Sequence, residues 1–149
     1  MLLKEANKFL ANADHMTYTS YPLLNDPKLV VAIAENLHRA IVTAIDAFLH
    51  YEYLYKRVDI VPYEQNMKID LFERHVIRNY KFDDEIIDYV KDLRGLIEFR
   101  KKSPLEFVRK DNFVILSENY SSKILNFKKI KEYLNNTKKF MIKVNGILT

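Results

Sequence analysis

The chain has 149 residues, 48% apolar and 30% charged, which suits one folded core and excludes an intrinsically disordered segment. It contains no cysteine, which excludes disulfides, thiolate metal sites and a thiol nucleophile. The net charge of +4 is unevenly spread: residues 1–95 carry 12 Lys/Arg against 15 Asp/Glu, and residues 96–149 carry 12 against 5, so the carboxy-terminal third is strongly basic.

With two glycines and four prolines in the whole chain, long helices are favoured over a many-stranded β fold. Charged residues run through the first sixteen positions, and no window holds the apolar length of a membrane span, so a cytoplasmic protein without a membrane partner is expected.

The first element is a helix over residues 2–19, because Leu3, Ala6, Leu10 and Ala13 recur at three- and four-residue steps and line one face. Tyr18 to Asp26 reads as a loop, with Tyr21-Pro22 and Asn25-Asp26-Pro27 as its breakers. From Pro27 the apolar pattern continues to about Val58, giving a central helix roughly 45 Å long. Its alanines at 34, 40, 44 and 47 let neighbouring helices approach closely.

Met67, Leu71, Phe72 and Val76 mark a shorter third helix, and a break follows near Asn79 to Phe82. A fourth helix spans Asp83 to Lys102, with acids at its start and Arg100, Lys101 and Lys102 at its end, matching the helix dipole at both termini. Ser103-Pro104 stops it. Two β-rich runs between Phe107 and Leu116 flank Asp111-Asn112 and predict a hairpin.

A last helix follows from Phe127, Ile130, Leu134, Met141, Val144 and Leu148, a stripe interrupted at Thr137, with Gly146 near its expected stop. The expected fold is mainly α: one antiparallel bundle of four to five helices, with a short hairpin before the last.

Candidate chemistry is sparse. Glu35-x-x-His38 has the spacing of a carboxylate-bridged di-iron ligand pair, but such a site needs a second copy of the motif and further glutamates, so no metal or cofactor is expected. Asp14 beside His15, and Asp46 one turn before His50, each offer a carboxylate–imidazole pair for an atypical enzyme or for a plain structural contact. Arg74-His75 and His38-Arg39 are adjacent pairs expected to face solvent. Gly-rich phosphate loops, nucleophile elbows and His-Glu-x-x-His are all missing.

The densest local signal is cationic. Arg100, Lys101, Lys102, Arg109 and Lys110 surround the end of the fourth helix and the start of the hairpin, interleaved with Phe99, Phe107 and Phe113. Exposed aromatics beside cations would serve single-stranded nucleic acid, with phosphates on the charges and bases on the rings. If the phenylalanines are core residues, only a basic helix end remains.

The order of segments resembles the HEPN superfamily of small helical bundles. Leu2-Leu-Lys-Glu-Ala-Asn-Lys-Phe-Leu-Ala-Asn-Ala-Asp14 resembles its opening helix, the alanine-rich run Val30 to Leu49 its second, and Lys128 to Phe140 its closing helix. The family's ribonucleases carry an Arg and, after four to six intervening residues, a His near the end of the penultimate helix. Arg100 stands in about that place, but Leu105, Glu106 and Phe107 occupy the positions that histidine would take.

The resemblance therefore implies a non-catalytic HEPN-like protein that binds RNA, or an RNA-containing assembly, through the five basic residues. A helical interaction module, as a homodimer or with another protein, is the alternative. An atypical ribonuclease is the activity such a chain would most readily carry.

Overall fold

The computed structural model describes residues 1–149 and is mainly helical, with six α-helices and one small sheet. Helix α1 (Leu2–His15) opens into a π-helical turn over Met16–Ser20 and continues as the short α2 (Tyr21–Leu24). The expected loop from Tyr18 is thus largely helical. Pro22, which lacks an N–H, follows directly on the wider π turn at the start of α2. The helix ends only at Asn25, whose φ of 48° is the left-handed stop that asparagine tolerates.

The central helix α3 (Leu29–Leu54) has 26 residues and is about 39 Å long, shorter at both ends than the apolar pattern implies. Lys56 enters the left-handed region and the Arg57 amide returns to the Glu52 carbonyl at 2.9 Å, which closes the helix before Val58. Buried residues from Val30 to Leu49 surround α3, as expected for the middle of a bundle. Phe48 lies at its densest point, with edge contacts to Phe72, Tyr80 and Phe82 at centroid distances of 5.0 to 6.1 Å.

Helix α4 (Gln65–Leu71) runs into a second π-helical turn over Phe72–Ile77. Then α5 (Asp84–Lys101) leads to strands β1 (Leu105–Arg109), β2 (Asn112–Leu116) and β3 (Ser122–Leu125), and α6 (Phe127–Leu148) closes the chain. The sheet is an antiparallel meander in the order β1-β2-β3, so the expected hairpin gains a third strand. Arg109 pairs with Asn112, which shifts the tight turn one residue earlier, to Lys110-Asp111, with Lys110 at φ 56°.

Phe113, Ile115 and Leu125 turn inward from the sheet into the same apolar core as the helices. In α6, Thr137 does not interrupt the buried stripe. Its hydroxyl donates to the Tyr133 carbonyl at 2.8 Å and is hydrogen-bonded to the Tyr89 hydroxyl, so its polar atom is satisfied inside the core. Gly146 does not end α6; its missing Cβ would meet open space, and the helix continues to Leu148. No helix is long and apolar enough to cross a membrane.

Candidate nucleic-acid interface

The strand register divides the sheet into two faces. The pairing Phe107–Val114–Ile124 crosses all three strands, flanked by Leu105–Leu116–Ser122 on one side and Arg109–Asn112 on the other. Alternation along each strand puts these residues on the outer face, opposite the core residues Phe113, Ile115 and Leu125. A shallow depression runs across that face, bordered by Arg109 and Lys110. Phe107 is 38% exposed, Ile124 48% and Leu105 54%, while Val114 between Phe107 and Ile124 is buried, so separate apolar side chains meet water beside two cations.

The three phenylalanines interleaved with the basic run take different positions. Phe113 is core, Phe99 is partly buried against the core beneath the Lys123 ammonium at 5.4 Å, and only Phe107 is open.

The five basic residues also divide. Arg100 is clamped by two carboxylates, Glu35 at 3.0 Å from α3 and Glu106 at 3.1 Å from β1, with a second nitrogen also donating to Glu106. Two acids on one guanidinium leave no positive charge for a phosphate, so Arg100 ties the hairpin to α3 and α5. Lys101 meets Glu98 only at 3.9 Å and is mostly exposed. Lys102, Arg109 and Lys110 are exposed and have no carboxylate within ion-pair distance.

The histidines are placed as follows. Glu35 faces Arg100, whereas His38 faces Arg94, its Nε2 3.4 Å from the guanidinium, so the two do not converge. Burial, then the charges of Arg94 and Lys101, bring His38 down to about 4. Asp14 is taken by Lys138 at 2.6 Å rather than by His15. Asp46 pairs with His50 at 3.2 Å on an open surface and with Lys68 at 2.9 Å.

His75 corrects the expectation of a solvent-facing side chain. Its Nε2 lies 2.8 Å from a Glu52 carboxylate that is fully buried, and Glu52 also accepts from Arg57 at 2.9 Å and from the Tyr80 hydroxyl at 2.7 Å. The second π turn rotates this imidazole inward, a change invisible to a regular helical reading. Burial opposes the Glu52 charge, but the donors Tyr80, Arg57 and His75 outweigh it and hold the carboxyl below its ordinary range. Tyr80, partly buried and donating to that carboxylate, is pushed up to about 12. Sequence reasoning missed this cluster because Glu52, Arg57, His75 and Tyr80 come from three separate segments.

The chain matches no protein-family model, no curated protein and no solved structure.

Proposed function

We propose that this is a non-catalytic, HEPN-like RNA-binding protein whose contact is the outer face of the sheet together with the adjoining basic end of α5. The observation that carries this reading is the juxtaposition of exposed Phe107 with Arg109 and Lys110 on one open face. An unstacked base has a flat apolar surface to lie on there, and its phosphates have unpaired cations beside it. Lys101 and Lys102 extend the positive rim, and Arg100 fixes the hairpin in place rather than touching RNA.

The test is the affinity for a single-stranded RNA oligomer across a salt series. Replacing Lys101, Lys102, Arg109 and Lys110 by Gln should flatten the log–log salt slope by about 3, at roughly 0.7 per phosphate contact. Phe107→Ala should weaken binding at every salt concentration without changing the slope. An unaltered slope in the fourfold variant rejects this interface.

A second reading, a protein-interaction module, is favoured by a different observation. Tyr53, Leu54 and Tyr55 at the end of α3, and Ile60, Tyr63 and Met67 after it, are all exposed, a concentration of large apolar groups that interfaces use. Light scattering distinguishes a self-associating module, which gives a concentration-dependent mass, from a monomer at all concentrations.

A further inference from the structure

Helix α6 carries six lysines, at 128, 129, 131, 138, 139 and 143, against the single acid Glu132. Of the six, only Lys138 is held by a carboxylate, that of Asp14. Lys128, Lys131 and Lys139 are exposed, and their spacing of three and eight residues keeps them near one side of the helix.

Aromatic rings alternate with these cations. Phe127 stacks on Tyr21 at 4.0 Å, and the Lys131 ammonium lies 4.7 Å from the Phe127 centroid. The same ammonium is 6.0 Å from the Tyr18 ring, and that of Lys138 is 5.3 Å from it. Tyr18 is 52% exposed beside these two lysines. The chain order links this row to the outer sheet face, since β3 runs directly into α6 and exposed Ile124 lies three residues before Phe127.

We infer that the α6 row is a second contact for a single strand of RNA, continuing from the sheet: Tyr18 stacks one base while Lys128, Lys131 and Lys139 hold phosphates. This rests on the RNA-binding reading. Between Lys128 and Lys139 the helix rises about 16 Å, a span of a few nucleotides, consistent with about three phosphate contacts. A duplex offers no unstacked base to Tyr18, so the site prefers single strands. Lys138, neutralised by Asp14, positions the tyrosine ring.

The probe is a twenty-nucleotide oligouridylate, titrated at several salt concentrations against the full chain. Lys128→Gln, Lys131→Gln and Lys139→Gln together should flatten the log–log slope by about 2. Tyr18→Ala should weaken binding about tenfold, while Tyr18→Phe, which keeps the ring, should bind as the unaltered chain does. Circular dichroism on each variant separates loss of contact from loss of fold.

If oligouridylate binds and only the sheet-face variants weaken it, the α6 row is overturned and the sheet interface stands. If the oligomer does not bind even at low salt, both fall. Binding to vesicles of acidic lipid with none to oligouridylate also overturns the row as an RNA contact and assigns its charge to a membrane surface.

Discussion

Glu52 is the residue on which one end of the molecule depends. A carboxylate with no access to water is tolerable only because His75, Arg57 and Tyr80 all reach it, and these donors fasten the turn after α3 to the segment that follows α4. Glu52→Ala leaves those donors without their shared acceptor, so a loss of about 3 kcal/mol is expected in urea denaturation. Glu52→Gln retains an acceptor oxygen and should lose less.

His38 gives the acidic limb of the stability curve its shape. Its folded pKa of about 4 lies below the ordinary 6.5, so between those values the unfolded chain takes up a proton that the folded chain refuses. Stability should therefore fall as pH drops through that window, by at most about 3 kcal/mol from this group. Below it, protonation of Glu52, whose folded pKa is also depressed, adds a further loss. His38→Gln should flatten the dependence between pH 6.5 and 4 in denaturation series, and an unchanged slope contradicts the assignment.

At the scale of elements, the sheet shows how two neighbouring phenylalanines with the same local propensity come to do different work. Phe113 faces the core and Phe107 faces water, so Phe113→Ala should cost about 3 to 5 kcal/mol and Phe107→Ala no more than about 0.5. Equal losses in thermal unfolding would show the register to be wrong.

The helices α5 and α6 are legible in the sequence because the ends of α5 carry dipole-matched charge and the apolar residues of α6 keep the three-four spacing; the Asn126 cap, which accepts from the Lys129 amide, emerges only from the structure. Strand β3 is not legible. Its four residues, Ser122 to Leu125, are too few for alternation to stand out, and it forms by pairing with β2 rather than by its own propensity. Neither π turn is legible, since an inserted residue looks like an ordinary helical turn, and yet one of them carries His75 to Glu52 and the other carries Tyr18 to α6. The basic run at the end of α5 is plain in the sequence, but the neutralisation of Arg100 depends on Glu35, sixty-five residues away.

For the whole molecule, two ion pairs join the acidic amino-terminal part of the chain to its basic carboxy-terminal part. Asp14 of α1 holds Lys138 of α6, and Glu35 of α3 holds Arg100 of α5. Lys102, Arg109, Lys110 and most of the α6 lysines remain free, and this surplus is the basis of the proposed RNA contact. Such a surface should attract single-stranded RNA through counterion release, and the attraction should weaken as salt is added.

The most direct test of that claim is a fluorescence-anisotropy titration of a single-stranded RNA oligomer from about 20 mM to 200 mM salt, a range over which counterion release produces large changes. Saturable binding is expected at the low end, with a log–log slope of about −3 or steeper that is reduced when Lys101, Lys102, Arg109 and Lys110 are neutralised. Absence of binding at the lowest salt, or an affinity indifferent to salt, would contradict it.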